Sequence, residues 1–324
     1  LTKVFADEEL AATPFRKASC LLGEVFSFQI AYRSASRIPQ LEVDVESKLA
    51  GYIEVRSVGL APSEFPGSAF DDNVLRTTPG LYPDPLYPLA DGLMAFPGQW
   101  RSVWITVRVP RNTSLQGEHR IELSFSKDGG LLGRASFTLE IIPVALPMQK
   151  LIHTSWFHAD CIATHYGVKV WSREHWALVE KFVHNAVDHG VNMLLTPLFT
   201  PPLDTQVGGE RPTVQLVDVE KDGERYKFGF ARLDRWVKLA SRCGVKYFEM
   251  SHLFTQWGAA HCPKITAREG SRNRRIFGWK DSASGAKYRN FLDQFLPALV
   301  RFIDKRGLRR RCYFHVSDEP GVDQ

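Results

Sequence analysis

Ser317-Asp318-Glu319-Pro320, near the C-terminus, sets two carboxylates side by side. They follow a short apolar run, Cys312-Tyr313-Phe314-His315-Val316, that reads as a buried β-strand. Two acids this close cannot both ionise easily, so one pKa is expected to rise. A carboxyl still protonated near neutral pH, beside an ionised one, suits the cleavage of a glycosidic bond. The structural alternative is an acidic pair that satisfies the N-terminal dipole of a following helix.

Three earlier segments end with similar residue types. The first gives Trp156, His158 and Asp160; the second gives Thr196 and Asp204 among several prolines; the third gives Ser251, His252 and Trp257. Polar side chains interleaved with aromatics suit a sugar, whose hydroxyls need hydrogen bonds and whose C–H face packs on indole. His158 and Asp160 also have the chemistry of metal ligands. His252 and His315 fit either ligand contact or a buried structural histidine. Trp257 and Trp279 fit either core packing or a sugar platform beside Gly258 and Gly278.

The elements that must position these residues fall into two parts. Residues 1–148 read as all-β, with strands over 26–32, 103–109, 119–125 and 136–142. Their alternation predicts antiparallel sheets packed as a β-sandwich. The stretch from Pro62 to Pro97, rich in Pro, Gly and Asp, is expected to be an excursion outside the sheets. From 149 to 324 the rhythm changes to strand–helix alternation. Strands are expected over 151–157, 192–196, 245–250 and 312–316. Ser172 can cap a helix that ends at Gly190, a second helix ends at Gly244, and a third, carrying Pro297, ends at Gly307. One insertion predicts a hairpin pairing 213–217 with 225–228. Arg272-Asn273-Arg274-Arg275 reads as an exposed loop tip.

Four β–α steps predict a parallel sheet whose C-terminal ends meet at one mouth. A full barrel takes about 250 residues, more than follow residue 150. The expected fold is therefore a β-sandwich followed by the first half of a (β/α)8 TIM-type barrel. The 324-residue chain is expected to be an incomplete, inactive piece of a longer enzyme.

Composition narrows the class. The chain is 44% hydrophobic and 24% charged, with a net charge of +5, as in ordinary globular proteins. The one dense basic run, Arg309-Arg310-Arg311, reads as a solvated turn, so no nucleic-acid partner is expected. No segment is apolar and long enough to span a membrane. Five scattered cysteines without CxxC spacing point to a reducing compartment, and with no visible signal the expected location is cytoplasmic.

The segment from Trp156 to Pro320 resembles glycoside hydrolase family 123. The resemblance rests on Trp156-Phe157-His158-Ala159-Asp160, on Leu195-Thr196-Pro197-Leu198-Phe199-Thr200-Pro201-Pro202, on Glu249-Met250-Ser251-His252-Leu253-Phe254-Thr255-Gln256-Trp257-Gly258, on Ile276-Phe277-Gly278-Trp279 and on His315-Val316-Ser317-Asp318-Glu319-Pro320, in the family's order. It implies a β-N-acetylgalactosaminidase acting on a glycan or glycoconjugate by substrate-assisted retention, without cofactor or catalytic metal. Asp318 and Glu319 would be catalytic. His158, Asp160, His252, Trp257, Trp279 and His315 are the expected substrate contacts. Two rivals are a metal-dependent barrel hydrolase using His158, Asp160 and His252, and a non-catalytic carbohydrate-binding protein. Oligomeric state is left open by the sequence.

Overall fold

The computed structural model describes residues 3–10, 13–65, 74–203 and 205–318. Glu319 and Asp204 lie outside the described residues. The chain folds as two compact units, 1–149 and 150–324.

Among the described residues the first unit carries nine strands: β1 (Lys17–Leu22), β2 (Val25–Tyr32), β3 (Ile38–Glu46), β4 (Ile53–Ser63), β5 (Gly80–Pro88), β6 (Leu93–Ala95), β7 (Arg101–Arg108), β8 (Gly117–Lys127) and β9 (Gly130–Ala145). They form two sheets, ordered β1-β9-β8-β3-β6 and β2-β7-β4-β5. Period-two alternation sends Val103, Ile105 and Val107 from β7, and Ile121 and Leu123 from β8, into one core with no exposure. Phe28 of β2 stacks on Phe137 of β9 with ring centroids 4.2 Å apart, joining the two sheets.

The excursion expected between Pro62 and Pro97 is corrected by β5 and β6. Three prolines sit in β5 because it is an edge strand, where a missing N–H breaks no inner ladder. Gly59 of β4 admits it: a Cβ there would lie 2.4 Å from the Tyr87 ring.

The second unit follows the expected rhythm with shorter strands. In order they are β10 (Thr154–Ser155), α1 (Ala159–His165), α2 (Arg173–Asp188), β11 (Met193–Thr196), β12 (Asp218–Asp222), β13 (Arg225–Gly229), α3 (Ala231–Cys243), β14 (Tyr247–Met250), β15 (Ile265–Glu269), β16 (Arg272–Phe277), α4 (Ala286–Lys305) and β17 (Cys312–Phe314). The parallel sheet β10-β11-β14-β17 runs in chain order, as successive β–α steps require. Ser172 caps α2, its Oγ accepting from the His175 N–H at 3.2 Å, and Gly244 closes α3 in the left-handed region at φ 108°.

Two insertions depart from expectation. The hairpin pairs 218–222 with 225–229. The stretch 214–217 is buried instead, because Gln215 Nε2 donates to the Thr266 carbonyl at 2.8 Å. Arg272 to Arg275 form part of β16 rather than a loop tip. The insertions after β11 and β14 combine into one sheet, β13-β12-β15-β16. Against it α4 packs Phe291 and Phe295, with Phe228–Phe295 at 5.2 Å and Phe277–Phe291 at 5.3 Å. The helix runs through Pro297.

This aromatic seam fixes the insertions. Phe291→Ala should cost about 3–5 kcal/mol, whereas Val300→Ala, 47% exposed on the same helix, should cost under about 0.5 kcal/mol. Urea unfolding midpoints check this, and equal shifts for the two variants would dismiss the seam.

Candidate functional site

The four parallel strands end together, and the centre of that edge is a buried carboxylate. Glu249, on β14, is 5% exposed. Its Oε2 accepts from Thr154 Oγ1 at 2.6 Å, and its Oε1 accepts from Trp156 Nε1 at 3.2 Å and pairs with His315 Nδ1 at 3.0 Å. Thr154 belongs to β10, two strands away, about 10 Å in a flat sheet. A direct hydrogen bond over that interval fits the concave face of a curled sheet. Burial pushes the Glu249 carboxyl up; the hydrogen bonds from Thr154, His315 and Trp156 outweigh it and hold the group below its ordinary range. Glu249 is thus an anion, and His315 carries its Nδ1 proton toward it.

His252 follows β14 and is 1% exposed. Its ring lies 4.0 Å from that of His315 and edge-on to Trp156 at 5.7 Å. Neither ring nitrogen has a hydrogen-bond partner among the described residues. Burial, then the neighbouring charge of His315, push its pKa down to about 4, against a pull from Glu249. Asp318 stands beside the two rings: one ligand atom from each of His252, His315 and Asp318 lies within 4.8 Å of the others. The Trp257 N–H donates to the Asp318 carbonyl at 3.2 Å, tying the loop after β14 to the loop after β17. Trp257 is 52% exposed, and both it and Ala259 have left-handed backbones, at φ 58° and 51°.

Asp160 and Trp279, expected here as substrate contacts, have their polar atoms engaged by other partners. Asp160 is buried, and both its oxygens are taken by Arg211, at 2.8 and 3.2 Å. Trp279 donates its indole N–H to the Gly209 carbonyl at 3.0 Å and lines a separate cleft with Thr200, Arg211, Lys264 and Arg275. His158 stands at the N-terminus of α1 without capping it. The set His158, Asp160 and His252 does not gather as a metal centre among the described residues; the sets that do are His252 with His315 and Asp318, and Glu180 with His184 and Cys243. Glu249 stands in one of the family's sequence blocks, yet the sequence alone assigns it no role. An acid in an otherwise apolar strand, Tyr247-Phe248-Glu249-Met250, was the available signal.

Two changes probe this arrangement. Thr154→Val removes the shortest hydrogen bond to a buried anion and should cost about 1–3 kcal/mol in chemical unfolding. A folded-state pKa near 4 for His252 means that the unfolded chain takes up that proton first as pH falls below about 6.5. The stability held by neutral His252 is then lost between about pH 6.5 and about 4, by about 2–3 kcal/mol. In chelator, wild type should lose that much more than His252→Gln over this interval; superimposable stability–pH curves would show that the imidazole is not held neutral.

The chain is similar in fold to a family 123 glycoside hydrolase from Clostridium perfringens, described for glycolipid glycan hydrolysis, with 13% identity and a TM-score of 0.73. The match covers 96% of this chain and 56% of that one, so the chain spans little more than half of its neighbour's length. A GH5 xyloglucanase from Bacteroides ovatus, 11% identical over 97% of this chain and 56% of its own, overlaps only at a TM-score of 0.22. No curated protein matches the chain. No helix among the described residues is long and apolar enough to cross a membrane. The catalytic-domain profile of glycoside hydrolase 123 matches residues 156–324, more than half of the sequence, a range that includes Trp156, Glu249, His252, His315 and Asp318: the chain belongs to that family.

Proposed function

We propose that the protein is a glycoside hydrolase cleaving β-linked N-acetylgalactosamine, or N-acetylhexosamine, with retention. The nucleophile is the substrate's own acetamido oxygen. The observation that carries this reading is Asp318 at the end of β17, grouped with His252 and His315 above an anionic Glu249.

The acetamido oxygen attacks the anomeric carbon as the bond to the leaving oxygen breaks, giving an oxazolinium ion. Asp318 accepts the acetamido N–H and balances the developing positive charge. Glu319 gives its proton to the leaving oxygen, then takes one from the water that opens the oxazolinium. Because no enzyme group must reach the opposite face of the sugar, the two acids can adjoin. His252 beside Asp318, with Trp156 edge-on to it, keeps water from that side and strengthens the attraction between Asp318 and the developing positive charge. Trp257, exposed beside Asp318, offers an indole face to the sugar. A glycan or glycoconjugate is the substrate class.

Asp318→Asn and Glu319→Gln in the full-length protein should each lower kcat by about 10²–10⁴-fold on a nitrophenyl N-acetylgalactosaminide. Plain nitrophenyl galactoside should not be hydrolysed, since it has no acetamide; equal turnover of both substrates would refute anchimeric assistance. Trp257→Ala should raise KM and leave the unfolding free energy within about 0.5 kcal/mol of wild type.

A further inference from the structure

We infer that His252, His315 and Asp318 form a site for a divalent cation of the zinc class, and that the bound ion switches the glycosidase centre off by occupying Asp318. The first half stands on geometry alone; the second rests on the role proposed for Asp318.

One ligand atom from each residue lies within 4.8 Å of the other two. Zinc bonds of about 2.0–2.2 Å place tetrahedral ligands about 3.4 Å apart, so closure around an ion is a side-chain movement of an ångström or so. His315 is already oriented for it. Its Nδ1 is held by Glu249 at 3.0 Å, which leaves Nε2 as the ligating nitrogen. A carboxylate behind a ligating imidazole fixes its tautomer and raises its basicity. Here that carboxylate is itself fixed by Thr154 and Trp156.

His252 supplies the independent indication. It is 1% exposed, yet both ring nitrogens lack a hydrogen-bond partner among the described residues. His175 shows what a structural histidine looks like in the same unit. Fully buried, it accepts from the Trp171 N–H at 3.0 Å through Nδ1 and meets the Ala159 carbonyl at 2.8 Å through Nε2. A buried polar group with no partner is costly, and a metal bond satisfies it as well as a hydrogen bond does.

Two imidazoles and one carboxylate select zinc-class ions over magnesium or calcium, which prefer all-oxygen sets. Three protein ligands leave a fourth position for water. Asp318 cannot accept the substrate's acetamido N–H and hold the ion with the same oxygens. Ion and substrate therefore exclude one another.

The test is calorimetric titration of tag-free, metal-free full-length protein with zinc chloride and, separately, magnesium chloride. One zinc per chain and no magnesium uptake are expected. Asp318→Asn and His252→Gln should abolish zinc uptake, and Glu249→Gln should weaken it about tenfold or more. Circular dichroism checks that each variant is folded, and Asp318→Asn, being isosteric, carries the test if the histidine variant unfolds. Zinc should also inhibit hydrolysis competitively and be reversed by chelator. Zinc uptake unchanged in Asp318→Asn, or no uptake by wild type at millimolar zinc, overturns the site. Stoichiometric uptake with purely non-competitive inhibition overturns the switch. Wild type that takes up no zinc but hydrolyses the acetamido sugar leaves the glycosidase reading standing, and zinc uptake by a protein that cleaves no acetamido sugar does the reverse.

Discussion

A single buried anion organises the C-terminal edge of the parallel sheet. Glu249, on β14, gathers Thr154, Trp156 and His315 from the two outer strands of the sheet. Burying a carboxylate is costly by several kcal/mol unless its lone pairs are filled. Three hydrogen bonds occupy most of them, and each constrains a different feature. Thr154 draws β10 into the concave face, Trp156 is fixed as a wall, and His315 has its tautomer set. Asp318 inherits this order because it lies three residues beyond His315, on the same strand exit.

The loops around the mouth are held by a different means. The insertions after β11 and β14 do not wander; they pair with each other into an extra sheet that α4 covers with an aromatic seam. Arg211 then reaches from the first insertion back to buried Asp160, while Lys264 and Arg275 converge on Glu210. Charges that a sequence offers as candidate ligands are spent here on tying one loop to another. The left-handed turn at Trp257–Ala259 is the exception, with strain at an exposed tryptophan joined to Asp318 through its backbone.

Much of this was legible beforehand because local patterns report local structure. The 3.6-residue periodicity of α2 and α3, Ser172 as a cap and Gly244 as a stop are readable one turn at a time. The ordered blocks from Trp156 to Pro320 carried the family. Strand ladders with unusual composition were not legible. Nothing within Gly80–Pro88 says that an edge position excuses three prolines, or within Arg272–Phe277 that four exposed polar residues belong to a strand.

The sequence by itself determined the succession of elements, the change of rhythm near residue 150 and the chemistry available at each strand end. All three follow from side-chain type and spacing along the chain. Only the tertiary structure decided who meets whom. Asp160 and His252 are equally plausible ligands on paper, yet one is consumed by Arg211 and the other is left with both nitrogens unpaired among the described residues. Glu249 looked like one acid in an apolar strand until sheet curvature brought three donors to it. Pairings between residues tens of positions apart depend on register and curvature, which no short window of sequence contains.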